Sequence, residues 1–280
     1  MLKKILLTGA GGRLGSYLRE PLTKMANELV SIDIKSEIGS LYDKETFKQI
    51  DLQDFSAIKE VSKGVDVIVH FGAIVDEAPF QELLGPNFIG SYNIWEAGYL
   101  NNIKRIIYAS SIHAVGMYPK NEFIGTEVPH RPDTFYGLAK CFTEDLGKMY
   151  FDKCGLESVH LRILSCAKVN NSRALGTWLS YDDLVHLVNR AIDTPVTGFK
   201  IVYGVSNNDR SPVDNSSASF LGYRPRDNAE RFAKEILNGT YPENPGSPEV
   251  ALHGGPFAAT NLGESGIRGF GIIDESKTKD

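Results

Sequence analysis

Apolar and polar positions along the first 165 residues alternate between two periods. Short apolar runs such as Ile5-Leu6-Leu7, Leu29-Val30-Ser31-Ile32 and Val67-Ile68-Val69 read as buried strands. Between them, residues such as Leu14, Tyr17, Leu18 and Leu22 recur at helical spacing. This reading predicts strands near 3–8, 28–33, 46–50, 65–71, 104–110 and 157–163, and helices near 12–25, 54–62, 87–101 and 134–152. Alternating strands and helices predict an α/β fold with a parallel sheet covered on both faces. Beyond residue 165 the pattern gives a helix from Trp178 to Asp193 capped by Ser180, a strand from Phe199 to Tyr203 and a helix from Asn228 to Leu237. From Gly239 the periodicity fades, and residues 264–280 read as an irregular tail ending in charges.

Composition narrows the class without naming a function. The chain of 280 residues is 42% hydrophobic and 23% charged, as expected of a soluble globular protein. A net charge of -5 argues against nucleic acid as a partner, and no apolar run approaches a membrane span. The start is too poor in apolar residues for a signal peptide. Cys141, Cys154 and Cys166 show no metal spacing, so no metal site is expected, and reduced thiols in a cytoplasmic protein are.

The first apolar run leads into Thr8 and then Gly9, Gly12 and Gly15 at three-residue spacing, with Arg13 and Leu14 between the last two. Strand, glycine turn and helix in that order form the context of a dinucleotide-binding loop. Gly9 suits the tight turn, Gly12 lets a pyrophosphate approach the backbone, and Gly15 lets the helix sit close to the strand. The helix N-terminus presents free N–H groups and positive dipole to the phosphates. The second strand ends at Asp33, followed by Ile34, 18 residues beyond Gly15. A carboxylate there accepts both ribose hydroxyls and favours NAD over its 2′-phosphorylated relative. Asp51 and Leu52 at the end of the third strand are placed for the adenine edge, with Asp54 as a helix cap. Phe71, Gly72 and Ala73 end the fourth strand and leave room for a cofactor, and Asn87 either faces the sheet or caps the next helix. The chain 1–280 is accordingly expected to be one Rossmann-type NAD-binding domain, doubly wound, with its substrate elements mainly within 165–260.

The fifth strand ends in Ser110-Ser111, and Tyr136 and Lys140 lie four apart on one helix face, behind Asp133 or Thr134 as cap. A free phenol, with a pKa near 10, is a poor base at neutral pH. A neighbouring ammonium such as Lys140 stabilises the phenolate, so Tyr136 can take a hydroxyl proton while Ser111 holds the same oxygen.

Thr8-Gly-x-x-Gly-x-x-Gly15, Asp51-Leu52, Ser111, Tyr136-x-x-x-Lys140 and Asn87-x-x-Gly-x-x-Asn93 together resemble the extended short-chain dehydrogenase/reductase family. Within it, Ser110-Ser111-Ile112-His113, Tyr118-Pro119, Arg131-Pro132-Asp133, Asn170-Asn171-Ser172-Arg173, Thr177 to Asp183 and Leu221 to Pro225 resemble the uronate dehydrogenases, over nearly the whole chain to about residue 260. The resemblance implies NAD-dependent oxidation of a hexuronate, glucuronate or galacturonate, at C1. The product is an aldarolactone. It also implies a homo-oligomer formed through the helices near 87–101 and 134–152. Arg173 stands where the resemblance places the guanidinium that grips the substrate carboxylate. His113 and Ser165 stand at sugar-contacting positions.

Three places depart from that pattern, one of them Arg210-Ser-Pro-Val213, which stands where the family often has tryptophans before Asp214. Val75 replaces a serine after the fourth strand, and Ile112 replaces an asparagine between Ser111 and His113. Apolar residues there remove donors for sugar hydroxyls. They favour a neutral-aldose 1-dehydrogenase as an alternative, against which Arg173 counts, and an NAD-dependent sugar epimerase or dehydratase is a further alternative. A non-catalytic NAD(H)-binding regulator is disfavoured, since it has no use for Ser111, Tyr136 and Lys140.

Overall fold

The computed structural model describes residues 1–238 and 244–266. Seven strands form one parallel sheet in the order β3-β2-β1-β4-β5-β6-β7. They are β1 (Leu2–Thr8), β2 (Ala26–Asp33), β3 (Glu45–Gln49), β4 (Val67–His70), β5 (Arg105–Tyr108), β6 (Glu157–Ile163) and β7 (Phe199–Gly204). The principal helices are α1 (Arg13–Thr23), α2 (Phe55–Val61), α3 (Phe80–Leu83), α4 (Gly90–Leu100), α5 (Phe135–Cys154), α6 (Ala174–Thr177) and α7 (Tyr181–Asp193). They are followed by α8 (Ala233–Asn238), α9 (Pro248–Ala251) and α10 (Pro256–Ala259). No helix among the described residues is long and apolar enough to cross a membrane.

Successive strand residues supply opposite faces. On one face Ile5, Leu7, Val67, Val69 and Ile107 pack with Leu18 and Leu22 of α1 and Leu184, Leu187 and Val188 of α7. On the other, Leu6, Ile68, Ile106 and Tyr108 pack with Ile58, Trp95, Leu146 and Tyr150 from α2, α4 and α5. Full burial of one such side chain stabilises the fold by roughly 1.5–3 kcal/mol, so continuous apolar runs are what a strand covered on both faces requires.

Local chemistry sets the helix ends. Asp54, Thr134 and Ser180 each accept an N–H of the first turn that follows, from Ala57, Gly137 and Asp183. Helix α5 stops at Gly155, whose φ of 71° is left-handed. Thr134, rather than Asp133, is therefore the cap of α5. The helix expected from residue 87 begins at Phe80 instead. Pro86 is accommodated in a π-helical stretch, Leu84–Ile89, which joins α3 to α4. Asn87 does not cap. It is buried and exchanges two hydrogen bonds with the backbone of Ile74, at 2.8 and 2.9 Å, fixing the loop after β4. Trp178 lies outside α7, in extended backbone paired with Ser165. The stretch after Gly239 contains two one-turn helices, α9 and α10. Of the expected tail, residues 267–280 lie outside the described residues, whereas Gly266 is hydrogen-bonded to Asp76.

A charged cluster is buried beneath α5. Glu144 accepts hydrogen bonds from Arg162 at 2.8 and 3.0 Å, from Ser110 at 2.6 Å and from His130 at 2.8 Å. Burial pushes its carboxyl up, but the His130 and Arg162 bonds outweigh this and hold it at about 2. Glu144→Gln leaves the Arg162 charge uncompensated and should cost about 3–5 kcal/mol, read from urea denaturation. The Glu144 bond raises His130 above its ordinary value, against a smaller burial effect. Its stabilisation is therefore complete below pH 6.5 and declines as pH rises through the raised folded value. His130→Asn should abolish that slope in a pH series of denaturation midpoints.

Candidate active site

The carboxyl ends of β1 and β4 meet where the winding of the sheet changes direction, and the crevice there collects the glycines. Gly9 has a φ of +70°, and a Cβ on it would lie 2.6 Å from the Gly72 nitrogen. A Cβ on Gly15 would lie 2.0 Å from the Gly9 oxygen, whereas one on Gly12 meets nothing closer than 3.1 Å. No side chain caps α1 at Gly12, and its first turn, with Arg13 and Leu14, holds no acidic residue. That combination fits a pyrophosphate. At the end of β2, Asp33 accepts the N–H of Gly11 at 2.8 Å and of Lys35 at 3.0 Å, while the Lys35 ammonium rests on the Gly11 carbonyl at 2.8 Å. Ile34 is exposed at the rim. Leu52 packs on Gly72 and Gly90 and is held by Asn93, which donates to its carbonyl at 2.8 Å. Asp51 accepts from the Gln53 backbone at 2.9 Å. Phe71 packs against the core cluster of α1, and Ala73 is half-buried just beyond Gly72. Glycine cradle, open helix end and strand-end carboxylate together suit a dinucleotide.

The reactive side chains come from the next two elements. Ser111 follows β5, accepts the His113 N–H at 3.3 Å and lies close enough to the Tyr136 phenol to act on its pKa. One turn along α5, the Lys140 ammonium donates to the Ala109 carbonyl at 2.8 Å and lies 5.1 Å from the centre of the Tyr136 ring. Both side chains are buried. Burial pulls Lys140 down to about 7, opposed by the charge of Glu144. Burial pushes the Tyr136 phenol above its ordinary value, Ser111 pulls it back, and Asp133 and Asp76 add to the rise. The phenol is thus raised by burial rather than lowered by Lys140 as expected, and burial acts on both side chains.

Three further groups face the same region. His113 Nδ1 lies 2.7 Å from Asp133, and the Thr134 hydroxyl donates to the other Asp133 oxygen at 2.8 Å, which fixes the imidazole ring. Phe257 of α10 stacks on His113 with ring centres 4.2 Å apart and lies 6.2 Å from the Tyr136 ring. Arg173 donates to the His253 carbonyl at 2.8 Å and reaches the Ser165 hydroxyl at 3.5 Å. Its Nε is buried without a hydrogen-bond partner among the described residues. Burial pulls the guanidinium down to about 10, with Asp133 acting against it.

The profile of the NAD dependent epimerase/dehydratase family matches residues 5–167. The chain belongs to this family. It is 44% identical over 257 residues to the uronate dehydrogenase of Agrobacterium fabrum, covering 91% of this chain and 97% of that one. It is 42% identical to the uronate dehydrogenase of Pseudomonas syringae pv. tomato over 92% of this chain and 94% of that one. Among solved structures, uronate dehydrogenase from Agrobacterium tumefaciens, in a mutant form complexed with NAD, superposes with a TM-score of 0.89 at 43% identity, covering 93% of this chain and 98% of that one.

In this epimerase/dehydratase-family chain the structure gathers Ser111, His113, Tyr136, Lys140, Ser165 and Arg173 around one region, and gathers the glycines, Asp33, Leu52 and Gly72 around the adjoining crevice. Ile112 is not brought in as a side chain. It is 1% exposed and packs with Val115, Ile124, Leu164 and Tyr203 in a separate core cluster. Its apolar character is thus accounted for by packing. Val75 is 55% exposed on the loop after β4. Phe257 and His253 escaped sequence reasoning because they lie in a glycine-rich stretch without periodicity. Asp133 was visible as a candidate cap and as part of Arg131-Pro132-Asp133, but not as the partner of His113.

Asp33→Ala should weaken NAD binding by about tenfold, the loss expected of a carboxylate hydrogen-bonded to a hydroxyl, and narrow the preference over NADP. Titration of each cofactor by protein fluorescence checks both, and an unchanged preference would move the choice elsewhere.

Proposed function

We propose that this chain oxidises the C1 hydroxyl of a hexuronate, glucuronate or galacturonate, to an aldarolactone with NAD as acceptor. The observation that carries this reading is the state of Arg173. Three arginines are buried, and each is matched by a glutamate: Arg19 by Glu45, Arg105 by Glu157 and Arg162 by Glu144, while Arg173 is half-buried. Arg173 has no carboxylate within ion-pair distance among the described residues, although its Nε is fully desolvated. A desolvated guanidinium favours a carboxylate supplied by the ligand, with which it forms two parallel hydrogen bonds.

Bound NAD supplies the hydride acceptor. Gly9, Gly12, Gly15, Arg13, Leu14, Asp33, Ile34, Asp51, Leu52, Phe71, Gly72, Ala73 and Asn87 hold and surround it, with Tyr136 and Lys140 at its reactive end. Ser111 and Tyr136 share the C1 oxygen, Tyr136 takes the hydroxyl proton, and the Lys140 ammonium stabilises the phenolate as it forms. His113, held by Asp133, and Ser165 orient the sugar, and Arg173 anchors its carboxylate end. Val75 lines the mouth. Substrate elements from 165–260 and the dinucleotide half act as one unit.

The similarity to uronate dehydrogenases over more than nine-tenths of the chain supports this reading. Ile89 at the end of the π-helical stretch, Tyr92 and Tyr99 on α4, and Leu138, Phe142 and Met149 on α5 are exposed apolar residues, which suits pairing with a second copy. Three unpaired cysteines suit a reducing, cytoplasmic setting.

NADH formation across glucuronate, galacturonate and mannuronate beside glucose, galactose and arabinose tests the substrate class, and turnover confined to the uronates is expected. Arg173→Ala should lower kcat/KM on a uronate by at least about a hundredfold, the loss of a buried charge-assisted pair, and change the matching neutral sugar little. Equal losses would remove Arg173 from carboxylate recognition. Tyr136→Phe should reduce turnover by about 10²–10⁴-fold with NAD affinity nearly intact.

A further inference from the structure

Two consecutive carboxylates after β4 have no part in the reaction as derived above. Glu77 is 1% exposed and forms no ion pair among the described residues. One of its oxygens accepts the backbone N–H of Tyr136 at 2.9 Å, and the other accepts the N–H of Gly263 at 2.8 Å. Asp76 accepts the N–H of Gly266 at 2.9 Å and the hydroxyl of Ser265. A buried carboxylate without a cation is costly. Here two backbone N–H groups and the positive end of the 20-residue helix α5 offset that cost.

These bonds join three separated parts of the chain: the loop carrying Val75, the first turn of the helix carrying Tyr136, and the segment from Pro248 to Gly266. That last segment supplies Phe257 to His113 and the His253 carbonyl to Arg173. It continues through Ala251, whose carbonyl accepts from Lys120, and Gly254, whose N–H donates to the Gly116 carbonyl at 2.8 Å. Its apolar anchoring is slight. Phe257 is its only large apolar side chain that is buried, and Leu262 is 62% exposed. Polar bonds therefore decide where the segment lies. Electrostatic tuning of the base is not what the pair supplies, because the Asp76 charge raises the Tyr136 phenol and so opposes proton abstraction.

We propose that Asp76 and Glu77 are positioning residues that latch the segment Pro248–Gly266 across the substrate pocket and tie it to the backbone of the catalytic tyrosine. The stacked Phe257–His113 wall and the seat of Arg173 then form only together with Tyr136. Closing one side of the pocket with a segment held by hydrogen bonds leaves it able to detach for sugar entry and release. The identity of the sugar acid rests on the function proposed above, whereas the latch itself does not.

The test compares full-length Glu77→Ala, Glu77→Gln and Asp76→Ala with the wild type by amide hydrogen exchange, NAD titration and steady-state kinetics. Faster exchange is expected in peptides covering 253–266 and the first turn of α5, with β1, β4, β5 and β6 unchanged. NAD affinity should stay within about twofold, while KM for the uronate rises about tenfold or more, as expected when a pocket wall is lost. Glu77→Gln should recover part of the loss, since its remaining carbonyl oxygen accepts one of the two bonds. Joint removal of both carboxylates should cost little more than either alone, because both hold one segment. Should Glu77→Ala fail to fold, Asp76→Ala and Ser265→Ala carry the same measurement. Unchanged exchange in 253–266, or a uniform rise across the sheet with loss of NAD binding, would overturn the latch. A wild type inactive on every uronate would instead overturn the proposed substrate and leave the exchange result to decide the latch.

Discussion

The close approach of two backbones at the centre of the sheet governs the rest of the molecule. The turn after β1 lies so near the turn after β4 that a side chain at Gly9 would fall within 2.6 Å of the Gly72 nitrogen. Parallel strands winding outward in two directions from β1 and β4 leave a crevice at their carboxyl ends, and this contact is its floor. Everything with a chemical role enters from those ends: the open N-terminus of α1, Asp33, the loop held by Asn87, and the turn after β5 with Ser111. The sheet provides rigidity and the loops provide groups, and this division lets one scaffold position a dinucleotide beside a variable second pocket.

Buried charge marks the boundary between scaffold and site. In the scaffold, Arg19, Arg105 and Arg162 are each neutralised by a glutamate and by backbone carbonyls, so their desolvation is offset within the protein. In the site, Arg173 lacks such a carboxylate among the described residues, burial lowers Lys140 to about 7, and the Tyr136 phenol is held above its ordinary range. Groups left electrostatically unsatisfied by their own protein are those a charged ligand can satisfy. The Glu144 cluster sits between the two regimes. It anchors α5 to β6 through Arg162 and reaches toward the active site through Ser110 and through its effect on Lys140.

The sequence by itself determined the order of strands and helices, the glycine cradle, the caps Asp54, Thr134 or its neighbour, and Ser180, and the shared face of Tyr136 and Lys140. These rest on local rules: two-residue and 3.6-residue periods, capping chemistry and the freedom of glycine act over a few residues and are written in adjacent letters. The tertiary structure alone decided the remainder. It put Ile112 in a core cluster rather than the pocket, turned Asn87 from a helix cap into a clamp on Ile74, carried a helix through Pro86, and folded the segment around Phe257 back over His113. It also showed burial raising the Tyr136 phenol where a lowering by Lys140 was expected. Most of these depend on groups well separated along the chain, and on how much water remains between them, and neither quantity is encoded in any short stretch of sequence.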